Sequence, residues 1–149
     1  MVSEINLIQQ LLMTPDEIME EENRLIDVFS NWGIPVHKGI FIGFLPSDNF
    51  IRRLTCKFNV EFAGVFTLGV KDYYLFVGDK NSISLNPLSN GNIEILIKHS
   101  HPMGNELPSF MDVSWLKAAQ SFGSPQKQSV ILPHQKPRFS FNVESNYMK

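Results

Sequence analysis

The stretch HSHPMGNELPSFMD, from His99 to Asp112, gathers the side chains of this 149-residue chain best suited to hold a metal ion. It contains two of the four histidines, one residue apart, followed by two prolines, a serine and an aspartate. If NIEILIKHSH is a strand, alternate side chains share a face. Ile93, Ile95, Ile97, His99 and His101 then point one way, and Glu94, Leu96 and Lys98 the other. Two neutral imidazoles on one face, separated by a single strand residue, can reach a common ion. Pro102 has no N–H to donate and ends the ladder directly afterwards, so the pair stands at a strand end. Ser109 and Asp112 read as the N-cap and N3 positions of the next helix, which places the Asp112 carboxylate in its first turn as a third ligand. A fourth position stays open for water, the arrangement of a catalytic zinc site; a structural site is closed by four protein ligands.

Blander explanations exist for each part. Ser-x-x-Asp is a common capping box that needs no metal, and a lone histidine at a strand end is more often a hydrogen-bonded residue than a ligand. Neither capping nor strand termination calls for histidine, however, so the combination points to ligation. Two histidines and a carboxylate also describe the facial triad of non-haem iron oxygenases, an alternative metal chemistry that the serine and prolines argue against. Glu61, within NVEFAGVF, sits in apolar surroundings where an unpaired charge is costly, so it needs a partner or a function. A base that takes a proton from water at the metal would have both. The competing expectation is an edge-strand glutamate facing solvent. Glu94 is a second candidate base, set aside because alternation points it away from both histidines. His37 and His134 lack a matching partner nearby, and Asp72 and Asp79 stand at turn positions where aspartate bonds locally.

His99-Ser100-His101-Pro102, then Pro108-Ser109 and Asp112, resemble the His-x-His-Pro…Pro-Ser-x-x-Asp signature of the JAMM (MPN+ or JAB) metallopeptidases. The resemblance covers roughly residues 59–141 and implies a JAB/MPN-like mixed sheet flanked by helices. It implies zinc (Zn2+) held by His99, His101 and Asp112, with Ser109 helping to stabilise the oxyanion of the tetrahedral intermediate. The family also uses a glutamate on an earlier strand as general base, and VEFAGVFTLG is similar to that segment, which nominates Glu61. The implied activity is hydrolysis of a peptide or isopeptide bond at the C-terminus of ubiquitin or a ubiquitin-like protein, whose extended tail would add to a sheet edge. Residues 1–58, an expected N-terminal helix and strand extension, have no counterpart in that pattern, and Lys98 stands where the family has an aromatic or small residue. The tail resembles JAB domains of bacterial polymorphic toxins and small conjugation systems. That suggests one alternative, an effector protease of the same fold acting on another protein; a second, from a different class, is a non-catalytic MPN-type scaffold, against which the intact His99, His101 and Asp112 set with Ser109 and Glu61 argues.

The elements that must position these groups are legible in outline. TPDEIMEEENRLIDVFSNWG predicts a helix capped by Thr14, with Pro15 in its first turn, Glu17 completing a capping box and Gly33 as its stop. Ile18, Leu25, Phe29 and Trp32 would form its buried stripe. PVHKGIFIGFL predicts a strand and SDNFIRRLTCKFN a helix capped by Ser47 or Asp48. From Val60 onward, VEFAGVFTLGV, YYLFVGD, SISLNP and NIEILIKHSH predict a sheet. A helix from Ser109 to a Gly123 stop follows, with Trp115, Ala119 and Phe122 on one face, and QSVILP and RFSFNV predict closing strands. The expected class is therefore α/β of the α+β kind, in a single domain.

Composition narrows the function classes. Hydrophobic residues make up 43% and charged residues 19%, as in folded globular chains. A net charge of −2 with scattered basic residues gives no field for nucleic acid. One cysteine, Cys56, excludes a disulfide framework or a cysteine-rich finger and predicts a small core residue. The acidic N-terminal stretch lacks a signal-peptide pattern and the longest apolar run is too short to span a bilayer, so no membrane partner and a cytoplasmic location are expected.

Overall fold

The structure, a computed structural model, describes residues 13–147; the first twelve residues of the acidic N-terminal stretch lie outside it. The described residues form a mixed α/β fold with three helices and a seven-stranded mixed sheet. Helix α1 spans Pro15–Trp32, β1 Gly39–Phe41, α2 Asp48–Phe58, β2 Phe62–Thr67 and β3 Asp72–Val77. Then come β4 Leu88–Ser89, β5 Asn92–His101, α3 Phe110–Ser121, β6 Gln128–Pro133 and β7 Phe139–Asn142. The strand order is β1-β3-β2-β5-β6-β7, with β4 pairing β5. β5 and β6 are parallel, and α3 crosses between them; the other pairings are antiparallel.

Local signals account for the helices. Thr14 and Glu17 exchange both bonds of a capping box at 3.0 and 3.1 Å, and the Gly33 N–H donates to Phe29 O at 2.9 Å with φ +89°. Ser47 caps α2 by accepting from Phe50 N at 3.1 Å. Asn59 closes it in the left-handed region at φ 55°.

The sheet is covered on both faces. Leu25 and Phe29 of α1 and Phe50, Ile51 and Leu54 of α2 pack on one face with Phe62, Phe66, Ile95 and Leu132. Val113 and Leu116 of α3 pack on the other face with Ile131 and Phe141. Residues 13–58 therefore supply much of the main core and are not an appendage to it. Trp32 departs from its expected place in the stripe and is 85% exposed; the buried part of the stripe ends at Phe29, one turn earlier. Cys56 also departs from expectation: α2 turns Phe50, Ile51, Leu54 and Thr55 inward, which leaves Cys56 on its solvent side. SISLNP alternates in burial as a strand would, but only Leu88–Ser89 beyond it pairs with the sheet.

One irregularity reorganises the site. The β2–β5 register runs Gly64↔Lys98 and then Val65↔Leu96, so β5 carries one extra residue at Ile97. A bulge of this kind inverts the alternation on either side of it. Lys98 and Ser100 consequently face α2: Lys98 Nζ lies 2.7 Å from Asp48 Oδ1 and Ser100 Oγ 2.6 Å from Thr55 Oγ1. His99 and His101 share the α3 face with Leu96 and Glu94, not with Ile93, Ile95 and Ile97 as strict alternation predicts. Gly64 sits at this step, where a Cβ would come within 2.7 Å of Pro46 Cγ. Gly64→Ala should therefore destabilise the fold by about 1–3 kcal/mol, measured by urea denaturation.

Candidate metal centre

Each group of the site is held by its own local device. His99 and His101 lie 3% exposed at the end of β5, and Pro102 follows in a turn. The serine between them points to the opposite face and accepts the Phe62 N–H at 3.0 Å, which fixes the first residue of β2. Glu61, directly before Phe62, is anchored by main-chain bonds from its N–H to Asp79 O (2.8 Å) and from Gly78 N–H to its own O (2.7 Å). It is 7% exposed, which overturns the solvent-facing alternative. Ser109 caps α3 and shares a full capping box with Asp112: Asp112 Oδ2 accepts from Ser109 N at 2.8 Å, and Ser109 Oγ accepts from Asp112 N at 3.0 Å.

Capping does not exhaust Asp112. Its Oδ1 lies 3.2 Å from His99 Nε2, its Oδ2 lies 3.3 Å from His101 Nε2, and the two Nε2 atoms are 3.1 Å apart. Ligands about 2.0–2.1 Å from a tetrahedral zinc stand roughly 3.3 Å from one another, and each of these pairwise contacts, made through the two different oxygens of Asp112, falls near that separation. His101 Nδ1 lies 2.9 Å from Asn105 O; donating there leaves its Nε2 lone pair free for an ion. His99 Nδ1 is buried without a hydrogen-bond partner, and the His99 ring rests edge-on against Phe141 at 6.2 Å. A carboxylate oxygen of Glu61 completes the group, within 4.8 Å of a nitrogen of each histidine.

The two carboxylates are driven in opposite directions. Burial would raise the Asp112 carboxyl, but the His99 charge, hydrogen bonds from both imidazoles and the Ser109 N–H hold it well below the usual carboxylate range. Burial pushes Glu61 up to about 8, with His99 opposing and Asp112 and Asp79 adding to the rise. Burial would likewise lower His99; Asp112 and Glu61 outweigh it and raise the imidazole. Asp112 is thus a permanent anion suited to ligation. Glu61 can hold or release a proton near neutrality, which suits acid–base work.

No family model, curated protein or solved structure matches the chain.

The structure brings together all five residues singled out in the sequence: Glu61, His99, His101, Ser109 and Asp112 line or form one end of a cavity of about 630 Å³. Glu94 stays apart, though for a different reason from the one alternation gave. It lies on the same face as His99, but roughly 16 Å up the strand, where it accepts from Thr67 Oγ1 at 2.8 Å. His37 does have partners: its Nε2 lies 3.2 Å from Asp79 Oδ2 and its Nδ1 3.3 Å from Ser84 Oγ. Asp79 also accepts locally from Asn81 N and Ser82 N, as its turn position predicted. Residues 81–86 form a wall of the cavity, a role that sequence reasoning missed. The polar–apolar alternation of SISL signals extended chain, but not whether that chain is paired.

Among the described residues no helix is long and apolar enough to cross a membrane.

Proposed function

We propose that the chain is a zinc-dependent peptidase or isopeptidase that hydrolyses a peptide or isopeptide bond in an extended protein segment. The reading rests above all on the meeting of His99 Nε2, His101 Nε2 and Asp112 at 3.1–3.3 Å beside buried Glu61, at the end of a cavity. When bound there, zinc supplies Lewis acidity and brings the pKa of water down towards about 7.

The chain's own groups do the rest. Glu61 takes a proton from the attacking water as its oxygen adds to the carbonyl carbon, then passes that proton to the nitrogen as the C–N bond breaks. The Ser109 hydroxyl accepts from the Asp112 N–H, which leaves its own proton free to meet the developing oxyanion. The carbonyl of Asn105 keeps the His101 ring in one orientation. The extended chain of residues 83–86 offers main-chain groups along which a substrate strand can lie. The resemblance to JAMM metallopeptidases makes the tail of a ubiquitin-like protein the first substrate to try, and an unrelated target protein of an effector the second.

Purified protein, with zinc or with a chelator, would be incubated with a panel of ubiquitin-like fusions and unrelated protein substrates. Cleavage with zinc and none with chelator is expected. Cleavage that survives the chelator, or a purified protein loaded with iron in place of zinc, would overturn the reading.

A further inference from the structure

The cavity continues well past the metal ligands, and its lining changes character as it does. Ala63 and Leu96 form its floor, on the sheet face that the bulge gives to the histidines. Ile83 and Leu85 are the more buried side chains of the extended wall, and the more exposed Ser84 and Asn86 border the cavity beside them. Trp115 stands opposite, one helical turn after Asp112, hence about 5–6 Å from it along α3. Its Nε1 donates to Leu85 O at 2.9 Å, which ties the helix to the wall across the cavity. These five apolar side chains belong, with Val65, Tyr74 and Phe76, to a hydrophobic cluster separate from the main core, and Trp115 also packs against the cluster under α3.

We propose that this part of the cavity is a specificity pocket for a large, uncharged apolar side chain on a residue flanking the scissile bond. The proposal deepens the hydrolase reading and rests on it. Register fixes the proximity: Ala63 pairs directly with His99, and Trp115 follows Asp112 by one turn, so the apolar walls begin where the reacting groups end. Charge fixes the chemistry. The charged groups lining the cavity are Glu61, Asp112 and His99, all of the candidate metal centre, and its other polar lining groups, Asn81, Ser82, Ser84, Asn86 and Ser114, are uncharged, so a lysine, arginine or glutamate side chain entering it would lose water without gaining an ion pair outside that centre. Size fixes the class, because about 630 Å³ is ample for a leucine or phenylalanine side chain together with the backbone that carries it. A glycine at that position would leave the faces of Leu85, Leu96 and Trp115 uncovered.

The test uses peptides Ala-Ala-X-Ala-Ala, blocked at both ends, with X as Gly, Leu, Phe, Glu or Lys. The chain has two tryptophans, and Trp32 is exposed on α1 away from the site, so Trp32→Phe leaves Trp115 as the sole fluorescent reporter. Binding is read from Trp115 emission in zinc-loaded protein carrying Trp32→Phe and Glu61→Gln, and cleavage is read with the zinc-loaded unsubstituted chain. Leu and Phe should bind and react about 10- to 100-fold better than Gly, Glu or Lys. Leu85→Glu should keep its zinc and move the preference to Lys.

Equal binding and cleavage across X, or a preference for Gly, would overturn the pocket. If no peptide or fusion is cleaved but Trp115 still reports selective binding of Leu and Phe, the pocket stands and the hydrolase reading falls. Loss of both overturns the pocket together with that reading. The unsubstituted chain already decides the matter should Leu85→Glu fail to fold.

Discussion

Glu61→Gln should keep its zinc and its fold while turnover drops about 10³-fold, at the middle of the range for losing a general acid–base group. Glutamine has the shape of the protonated carboxyl, and burial already drives Glu61 towards that neutral form, pushing it up to about 8. The substitution therefore places no new strain on the Glu61–Gly78–Asp79 main-chain bonds that hold this residue. What disappears is an oxygen that can take a proton and return it. Single-turnover rates with matched zinc content separate this loss from weakened binding. Activity unchanged in that variant would remove Glu61 from the chemistry. Loss of zinc along with activity would instead make Glu61 a ligand, in a set of Glu61, His99 and His101 whose donor atoms lie within 4.8 Å of one another.

The second large effect concerns Asp112, whose two jobs can be separated. As the N3 residue of α3 it accepts from Ser109 N at 2.8 Å, and as a member of the cluster it lies 3.2–3.3 Å from both imidazoles. Asp112→Asn keeps an amide oxygen for the cap but removes the anion. It should therefore melt within about 1 kcal/mol of a chelator-treated parent while zinc falls from about one per chain to a small fraction of that. His99→Ala should lose zinc equally. Elemental analysis after gel filtration provides the readout, and full zinc in both variants would mean that other residues hold the ion.

Legibility in the sequence followed the range of the forces at work. The capping boxes of α1 and α3 involve residues three apart, and both appear where Thr14 and Ser109 announced them. The candidate metal-binding constellation was legible for a related reason: two histidines on one strand end and an aspartate in the next first turn are brought close by a single short connection. Glu61 came with less certainty from its residues alone, because its burial depends on β5 lying beside β2. The register of those strands was not legible at all. Nothing in NIEILIKHSH marks Ile97 as the extra residue, since an apolar side chain satisfies either face of a sheet covered on both sides. Trp32 and Cys56 failed for different reasons. For Trp32, periodicity gives the direction of a helix face, whereas burial requires something opposite it, which is a property of the tertiary arrangement. For Cys56 the expectation rested on residue type alone, and the inward face of α2 leaves it on the solvent side.

The extra residue in β5 has a bearing on how this chain can vary. Loss of one residue between Leu96 and His99 would only take the bulge out: Val65 would still face Leu96 and Ala63 would still face His99, so the imidazoles would keep the cavity side. Unbroken pairing of the present ten residues would do the opposite, setting Lys98 against Ala63 and turning the imidazoles towards Thr55 and Asp48. With this sequence, the means of gripping an ion therefore depends on one isoleucine staying out of the ladder.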